Sequence, residues 1–398
     1  MFRTMQSTLP KYSNKLSNLI REIYGDGFIP LHRPVFEGNE RNYLIDCIDS
    51  NFVSSVGDNV KKFEQMTASF TGVKSGVATM NGTSALHTAL IVCGVSSGDE
   101  VISQALTFVA TCNAISYCGA SPVFIDVDRD TLGLSPNALE KWLSNNVERK
   151  DGKGFNRKTG ARVAACVPMH TFGFPLRIAE IVEICQAFGI TVIEDAAESL
   201  GSYLGDRHTG TFGELATLSF NGNKVITTGG GGMILTDNDE LAKKALHLTT
   251  TAKVPHPHEF VHDEVGYNYR LPNLNAALGC AQIENLNDML DIKADIAANY
   301  HAFCLKHGLR FVNGIENTRP NYWLNAIILD SKTERNAFLE YLNEQQVMSR
   351  PIWRLMNRLE MFKKCQTDDL ENSRWLEDRV VNIPSSVPEG MLKNIHIS

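Results

Sequence analysis

Residues 76–127 read GVATMNGTSALHTALIVCGVSSGDEVISQALTFVATCNAISYCGASPVFIDV. Short apolar runs of strand length alternate in this stretch with runs of helical length. The same rhythm continues in VAACVPM, LRIAEIVEICQAFG and TVIEDAA, at 163–169, 176–189 and 191–197. Strands that alternate with helices of about 10–15 residues form βαβ units, whose strands run parallel and are buried on both faces. The sequence therefore predicts an α/β fold with a mostly parallel central sheet flanked by helices.

Three regions are predicted along the chain. Residues 1–57 form an N-terminal arm with helices, and residues 58–274 form the large domain that contains the sheet. Residues 275–398 form a long connecting helix and a smaller C-terminal α/β domain. The polar stretch 145–162 is interpreted as an exposed loop, because a run of charged residues is usually solvated.

Composition narrows the class of protein. The 398 residues are 43% hydrophobic and 21% charged, which is typical of a globular chain with substantial cores. A formal net charge of -7 leaves no basic surplus to neutralise phosphates and argues against a general nucleic-acid binder. No run approaches the ~20 apolar residues of a membrane span, and no signal peptide is recognisable, so we expect a cytoplasmic protein without a membrane partner. The nine cysteines include no CxxC pair and are interpreted as reduced core residues.

A lysine follows one of the predicted strands. Ligands collect at the carboxyl ends of strands in a parallel α/β sheet, so the residues at these ends are considered together. The strand from Leu215 to Phe220 leads to Lys224 in a turn, ahead of the glycine run 229–232. Burial among apolar residues disfavours the charged form of an amine, which then acts as a Schiff-base nucleophile toward a carbonyl or pyridoxal phosphate. The alternative is a surface lysine after a strand.

A phosphate cradle is predicted where the first strand of this region ends. There Asn81, Gly82, Thr83 and Ser84 open a helix. Free backbone N–H groups at a helix start bind phosphate, helped by hydroxyls and by the helix dipole. The alternative is an ordinary N-cap formed by Thr83 or Ser84.

An aromatic side chain and acids follow other strands. Phe108 offers a face on which a planar ring can stack, or else belongs to the core. His170 ends another strand. Glu194, Asp195 and Glu198 lie at or after the end of a third, where carboxylates belong either to a functional site or to a structural ion pair. A phosphate cradle, an aromatic face, an acid and a lysine together suit pyridoxal phosphate. The acid keeps the pyridine nitrogen protonated, and the lysine holds the aldehyde as an imine.

No metal site is predicted. The histidines and acids between Lys253 and Glu264 are possible ligands, but they fit no HExxH or Cys/His spacing. A P-loop and a GxGxxG fingerprint are also absent from the sequence. The helix start at Gly82 is therefore the predicted phosphate-binding site.

The chain resembles the sugar-nucleotide aminotransferases of the DegT/StrS type, which have the fold-type-I architecture of pyridoxal phosphate enzymes. The resemblance rests on motifs that occur in order from residue 28 to residue 279: FIPLHRPVF, NGTSALHTAL, TFVATCNA, EDAAESLGS, HTGTFGELATLSFNGNK, GGGGM and GYNYRLPNLNAALG. It implies an enzyme that uses pyridoxal phosphate to transfer an amino group.

Several residue roles follow from this resemblance. Lys224 matches the lysine that carries the cofactor as a Schiff base, and Asp195 matches the partner of the pyridine nitrogen. Phe108 resembles the stacking ring. Glu198 falls where family members carry glutamine, histidine or glutamate near the cofactor.

The resemblance also implies how the phosphate is bound. Thr83, Ser84 and Ser219 resemble phosphate contacts, and Gly82 lies in the same turn. Asn268, in GYNYR, resembles the asparagine that reaches the phosphate of the neighbouring subunit. A homodimer with shared active sites is therefore expected.

The substrate is inferred from the two ends of the chain. Residues 29–40 and 349–357 most resemble members that aminate C4 of a UDP-linked 4-keto-6-deoxy N-acetyl sugar in pathways of the legionaminic-acid type. Glutamate is the implied amino donor, and a surface glycan or nonulosonic acid is the implied end product. Arg350 or Arg354 is a candidate for binding the diphosphate, because a guanidinium offers paired donors to phosphate oxygens, and His170 is also assigned to the substrate.

Two other functions are considered. A pyridoxal phosphate-dependent sugar dehydratase on the same scaffold would carry histidine in place of the lysine, so Lys224 argues against it. A non-catalytic, cofactor-binding regulatory protein would have lost the lysine or the acid, and the sequence retains Lys224 and Asp195.

Overall fold

The computed structural model describes residues 10–392. Residues 1–9 of the predicted arm and residues 393–398 of the predicted C-terminal domain lie outside the described residues. The helices are α1 (Ser13–Tyr24), α2 (Glu40–Asp49), α3 (Asp58–Thr71), α4 (Gly82–Val92), α5 (Val109–Tyr117), α6 (Pro136–Asn146), α7 (Ile178–Ala187), α8 (Asp239–Thr249), α9 (Asn273–Glu284), α10 (Leu286–His307), α11 (Lys332–Glu344) and α12 (Glu371–Glu377).

The strands form one large sheet, a smaller sheet and two short ribbons within the described residues. They are β1 (Ser75–Thr79), β2 (Glu100–Gln104), β3 (Ser121–Ile125), β4 (Val147–Lys150), β5 (Lys153–Asn156), β6 (Arg162–Val167), β7 (Thr191–Asp195), β8 (Tyr203–Leu204), β9 (Arg207–His208), β10 (Leu215–Ser219), β11 (Gly232–Thr236), β12 (Lys253–Val254), β13 (Val261–His262), β14 (Arg310–Phe311), β15 (Thr318–Arg319), β16 (Asn325–Ile328), β17 (Arg350–Pro351), β18 (Gln366–Thr367) and β19 (Val380–Ile383).

The large sheet is mostly parallel. Its strand order is β1-β11-β10-β7-β6-β2-β3-β18. Strand β11 runs antiparallel to both β1 and β10, and the successive pairs from β10 to β18 are parallel. The carboxyl ends of β1, β10, β7, β6, β2 and β3 therefore meet at one edge. The predicted α/β fold with a mostly parallel sheet is confirmed.

Local side-chain chemistry sets several helix boundaries. Asn81 caps α4, because its side chain accepts a hydrogen bond from the N–H of Ser84 at 2.8 Å. Ser135 caps α6 in the same way, and Pro136 occupies the first turn. Gly72 ends α3 with a φ of 84°, a left-handed conformation that glycine adopts without a Cβ clash.

The polar stretch 145–162 is not a loop, and that prediction was wrong. Strands β4 and β5 form an antiparallel hairpin, and β5 pairs with β6 of the large sheet. Asp151 and Gly152 make the turn with φ values of 49° and 78°. An Asp-Gly pair favours a two-residue hairpin turn, and this signal outweighs the charge of the flanking residues. The amide of Asn156 then anchors the hairpin by donating to Glu100 Oε2 at 2.7 Å.

The long connecting helix expected from residue 275 is divided into two. Helices α9 and α10 are separated at Asn285, where ψ is 3°. Helix α9 packs against α2 and α3, and a Cβ at Gly279 would lie 2.7 Å from the Phe63 ring, so this close approach needs glycine. Helix α10 instead leads into the smaller domain. Across residues 10–392, no helix is both long and apolar enough to cross a membrane.

The smaller domain brings together both ends of the described chain. Its sheet has the order β14-β16-β19-β17, with antiparallel pairs throughout. Helix α1 packs here against α11, so that Leu16 and Ile20 are buried in one core with Tyr300 and Phe338. In this structure the first helix is thus part of the smaller domain rather than of an arm. Strand β18 extends the large sheet beside β3, so the two domains also share a strand pairing.

Candidate active site

A cavity of about 660 Å³ opens at the carboxyl edge of the large sheet. Its wall combines strand-end residues of the large domain with a segment of the smaller domain that follows α11. The wall residues that matter for its chemistry are Asn81, Gly82, Thr83, Phe108, Phe172, Asp195, Glu198, Ser219, Lys224, Trp323, Arg350, Trp353 and Arg354.

The side chain of Lys224 is largely buried in this cavity, with 14% of it exposed. Strand β10 ends at Ser219, and in the turn that follows the N–H of Lys224 donates to the carbonyl of Asn221 at 3.0 Å. The Nζ atom lies 3.2 Å from Glu198 Oε1 and 3.8 Å from the centre of the Trp323 ring. A carboxylate and an aromatic face thus fix the position of the amine. The alternative of a surface lysine is excluded by this burial.

Glu198 is the buried carboxylate that contacts this amine. Its Oε2 accepts a hydrogen bond from the backbone N–H of Phe172 at 2.9 Å. Burial raises the pKa of Glu198 to about 7, although the charge of Lys224 opposes the shift. The carboxyl group therefore titrates near neutral pH, where proton donors and acceptors are most effective.

We predict that Glu198→Gln changes how stability depends on pH. Because the pKa of Glu198 rises from 4.5 to about 7, the folded protein keeps a proton that the unfolded chain loses over this window. The contribution of this carboxyl group to stability is therefore full below pH 4.5 and falls as the pH rises through 7. The free energy of unfolding is measured by denaturant titration of the cofactor-free protein. The value for the variant minus the value for wild type should increase as the pH rises across this range. A constant difference would contradict the raised pKa.

Asp195 is a second buried carboxylate, at the end of β7. Its Oδ2 accepts a hydrogen bond from Thr111 Oγ1 at 2.7 Å, and its Oδ1 accepts one from the N–H of Ala197 at 3.2 Å. Burial raises the pKa of Asp195, whereas these two bonds and the charge of Lys224 oppose the change. With a donor on each oxygen, the carboxylate is held in one orientation toward the cavity that Lys224 also lines.

The start of α4 faces the cavity next to β10. A Cβ at Gly82 would lie 2.9 Å from the Cβ of Ser219, so the helix start approaches this strand closely. The first turn of a helix offers N–H groups without intrahelical acceptors. Ser84 does not line the cavity, because it is buried and its N–H is bonded to the Asn81 cap. The alternative of a cap by Thr83 or Ser84 is thus corrected to a cap by Asn81.

Aromatic side chains form one side of the cavity. Phe108 is 47% exposed and therefore does not belong to the core. Its ring centre lies 6.0 Å from that of Trp353, and the Trp353 ring lies 4.9 Å from that of Phe172. The exposed face of Phe108 is thus available for stacking on a planar ligand.

His170 does not reach the cavity, so its expected contact with substrate is not made in this structure. The ring has no exposed surface, its Nε2 lies 3.0 Å from Glu194 Oε2, and its Nδ1 accepts from the N–H of Leu176. Burial acts to raise the pKa of Glu194, but the His170 ring and the N–H groups of Gly213 and Gly210 lower it below its usual range. The structural ion pair considered for the acids of this segment is instead formed by Glu198 with Lys224, whereas Glu194 is held by hydrogen bonds.

The two candidate arginines differ in how they are engaged. Both line the cavity. Arg350 donates to Asn343 Oδ1 at 3.2 Å and to the Ser349 carbonyl at 3.0 Å. Arg354 forms no side-chain hydrogen bond or ion pair with any residue between positions 10 and 392. Its guanidinium donors are thus available to a ligand.

Asn268 is exposed and does not line the cavity of its own chain. Its backbone lies beside Thr250 in an isolated antiparallel bridge. In the expected role this side chain reaches the site of a second subunit, and its exposure leaves it accessible to one.

The sequence did not predict that Trp323 and Asn321 contribute to the site. The Asn321 side chain donates to the carbonyls of Glu198 and Leu200, both at 2.9 Å, and accepts from the N–H of Trp323 at 2.8 Å. It therefore ties the Glu198 loop to the tryptophan that contacts Lys224. No local motif marks these residues, because Glu198, Leu200 and Lys224 lie about a hundred positions or more away in the chain.

The histidine-bearing segment before residue 265 folds as the exposed hairpin of β12 and β13. Among the described residues, one group of three possible metal ligands has its ligand atoms within 4.8 Å of one another: His247, Asp263 and Glu264. Lys244 already forms an ion pair with Glu264. The nine cysteines are all unpaired thiols.

Comparison with known proteins identifies relatives of the chain. A model of the DegT/DnrJ/EryC1/StrS aminotransferase family matches residues 35–390. The GDP-perosamine synthase of Escherichia coli O157:H7 is 34% identical over 90% of this chain and 93% of its own length. EpsN of Bacillus subtilis (strain 168), provisionally named a pyridoxal phosphate-dependent aminotransferase, is 37% identical over 84% of both chains. The crystal structure of the aminotransferase TlmJ from Streptoalloteichus hindustanus matches with a TM-score of 0.81 and 25% identity, over 90% of this chain and 94% of that one.

The cavity fits pyridoxal phosphate, the cofactor in the name of EpsN. Between Gly82 and Ser219 there is no room for a larger side chain at Gly82, so the backbone at the start of α4 stays open as a phosphate cradle. Lys224 provides an amine, and Asp195 provides a buried anion. The chain is thus a pyridoxal phosphate-dependent aminotransferase with the fold-type-I architecture, and it belongs to the DegT/DnrJ/EryC1/StrS aminotransferase family.

Proposed function

We propose that this chain transfers an amino group from glutamate to C4 of a nucleotide-linked 4-keto-6-deoxy sugar, for surface-glycan or nonulosonic-acid biosynthesis. The observation that carries this proposal is the Lys224 amine, held 3.2 Å from Glu198 and 3.8 Å from the Trp323 ring centre. The surrounding cavity of about 660 Å³ falls within the usual range of small-molecule sites, about 300–1,000 Å³.

The cofactor is assigned to the strand-end residues. Pyridoxal phosphate, when bound, supplies the electron sink that amino transfer requires. Asp195 keeps the pyridine nitrogen protonated, because a buried anion favours a proton on its partner. Gly82 and Thr83 at the start of α4 would hold the cofactor's phosphate together with Ser219 of β10, and Phe108 would stack on its ring.

Lys224 is assigned the proton transfers. Its amine removes the proton from Cα of glutamate and, in the second half-reaction, delivers a proton to C4 of the sugar. Glu198 keeps the amine oriented through their 3.2 Å contact. The aromatic side chains of Phe172, Trp323 and Trp353 limit the access of water to this centre.

Two nucleotide sugars are supported by different observations. The name of the 34% identical relative, GDP-perosamine synthase, supports a GDP-linked sugar. The resemblance in segments 29–40 and 349–357 supports a UDP-linked N-acetyl sugar, and both segments contribute to the cavity wall through Leu31 and Arg350.

A substrate panel tests these alternatives. Purified enzyme is incubated with glutamate and with UDP-, GDP- or dTDP-linked 4-keto-6-deoxy sugars or with a 3-keto dTDP sugar, and the products are followed by mass spectrometry. We expect amination of the UDP- or the GDP-linked sugar with a clear preference for one of them. Equal or greater activity on a 3-keto dTDP sugar would overturn the proposed function.

We predict that Arg354→Ala weakens binding of the nucleotide sugar more than Arg350→Ala does. A hydrogen bond to a charged group contributes about 1.5–3 kcal/mol, so KM for the sugar should rise by about 10- to 100-fold for Arg354→Ala. Arg350 is the matched control, because its guanidinium already donates to Asn343 and Ser349. Steady-state kinetics in both substrates checks this. KM for glutamate should stay unchanged in both variants. If the two variants raised KM for the sugar equally, Arg354 would not be the residue that binds the diphosphate.

We further propose a homodimer in which each site is completed by Asn268 of the second subunit. Two observations support it: Asn268 is exposed and away from its own cavity, and apolar side chains at the end of α2 are exposed. Ile48, Phe52 and Val56 are 62%, 59% and 80% exposed, and such residues are typical of a surface that a partner covers.

Subunit mixing tests the shared site. Lys224→Ala and Asn268→Ala homodimers should each be impaired. A mixed dimer regains one site that has an intact Lys224 and a neighbouring intact Asn268, while its other site carries both defects. Activity should therefore rise when the two variants are unfolded, mixed and refolded together, in proportion to the mixed fraction. No rise despite proven mixed dimers and an impaired Asn268→Ala parent would mean that each chain completes its own site.

A further inference from the structure

A buried lysine lies behind the cavity wall, outside the site described above. Lys293 on α10 is 1% exposed, and it does not line the cavity. Its Nζ lies 3.2 Å from His32 Nε2 and 3.3 Å from the carbonyl oxygen of Trp323, and it also donates to the carbonyl of Ser385. These acceptors come from three separate segments of the chain, which the lysine joins at the base of the smaller domain.

The hydrogen bonds of this lysine match the donors of an ammonium group. An ammonium has three N–H donors, and Lys293 has three acceptors. Burial and the charges of Lys293 and Lys224 lower the pKa of His32 well below its usual range, so the ring stays neutral and accepts. Burial also lowers the pKa of Lys293 to about 7. A buried amine is costly for a fold, so a hydrophobic residue here would fill the space at a lower desolvation cost.

Trp323 is the acceptor that connects Lys293 to the active site. Its carbonyl is bonded by Lys293, its backbone N–H donates to Asn321 Oδ1 at 2.8 Å, and its indole Nε1 donates to the carbonyl of Asn223 at 2.6 Å. The indole face lies 3.8 Å from the amine of Lys224. Both the backbone and the ring of Trp323 are thus held by hydrogen bonds.

We propose that Lys293 is a positioning residue for the active-site amine: it fixes the backbone of Trp323, and the Trp323 ring fixes Lys224 beside Glu198. Lys293 does not touch the cavity and acts only through the tryptophan. The inference deepens the proposed function, because it rests on Lys224 as the residue that transfers the proton.

The test is a double-mutant cycle between Lys293→Met and Trp323→Leu. Methionine fills a similar volume without the donors, and leucine removes the aromatic face. A misplacement of about 1 Å costs up to about 10²-fold in rate, so each single variant should lower kcat per cofactor-bound site by about 10- to 100-fold with KM for glutamate unchanged. If Lys293 acts through Trp323, then Lys293→Met should add almost nothing to the defect of Trp323→Leu.

A second readout does not depend on turnover. Reductive methylation of the cofactor-free protein, followed by peptide mapping, measures how fast the Lys224 amine reacts. We expect this rate to rise several-fold in Lys293→Met, because the amine loses its fixed contacts. The control is Ile296→Ala, which removes a buried side chain from the same helix: it should lower the thermal stability and leave both kcat per site and the Lys224 labelling rate unchanged.

The outcomes separate this inference from the proposed function. A Lys224→Ala enzyme that still transfers amino groups would overturn the proposed function and the inference together. With Lys224→Ala inactive, a Lys293→Met enzyme that keeps wild-type kcat and labelling rate would overturn the inference alone, as would fully additive defects in the cycle. If Lys293→Met yields no folded protein, Lys293→Arg, which retains the donors, is measured instead. A kcat defect of Lys293→Arg that appears undiminished in the Trp323→Leu background would likewise overturn the inference, because that defect would not act through the tryptophan.

Discussion

Lys224→Ala should lower kcat by about 10³-fold or more, because it removes both the amine that holds the cofactor and the group that transfers the proton. Among the described residues that line the cavity, Lys224 is the only lysine, so no neighbouring amine can replace it. The measurement is the rate of amino-sugar formation with added pyridoxal phosphate, followed by mass spectrometry. Borohydride reduction of the wild-type enzyme and peptide mapping should locate the cofactor on Lys224. Cofactor trapped on a different lysine would end the assignment.

Two variants control for charge and for general effects of substitution. Lys224→Arg keeps a cation next to Glu198, but a guanidinium remains protonated and forms no imine, so this variant should be as inactive as Lys224→Ala. Lys243 is a matched surface lysine, with 71% of its side chain exposed. Lys243→Ala should retain wild-type kcat. Substantial activity in Lys224→Arg would show that the site needs only a positive charge at this position.

Asp195→Asn should lower kcat by about 10²- to 10³-fold while the cofactor stays bound. Removing one preorganised electrostatic group from a buried site has an effect of this size. The amide is similar in shape to the carboxylate, and it accepts the Thr111 bond, but it lacks the negative charge that holds the pyridine nitrogen protonated. Cofactor content by absorbance and kcat at saturating substrates should be measured on the same preparation.

Thr111→Val is the matched control for Asp195. It removes the 2.7 Å hydrogen bond to Oδ2 and leaves the charge in place. A bond to a charged group is worth about 1.5–3 kcal/mol, so kcat should fall by about 10- to 100-fold, less than in Asp195→Asn. If Asp195→Asn were as active as wild type, the role of Asp195 would be to organise the Thr111 and Ala197 segments only.

The sequence by itself determined the sheet and the group of residues at its edge. Apolar strands alternating with helices specify parallel βαβ units, and the carboxyl ends of parallel strands meet at one edge. This rule alone brings Gly82, Phe108, Asp195 and Lys224 together, although they lie far apart in the chain. It applies because strand direction and side-chain alternation are local properties, which a short window of sequence records.

Tertiary structure decided which side chains complete the site. His170 also ends a strand, but its ring is turned into the core and paired with Glu194. The guanidinium of Arg354 has no hydrogen-bond partner among residues 10–392, whereas that of the neighbouring Arg350 is bonded to Asn343. Trp323 contacts Lys224 from the smaller domain, and Lys293 of the connecting helix bonds the carbonyl of Trp323. These contacts depend on how the side chains pack in three dimensions, and helical or strand periodicity contains no information about such partners.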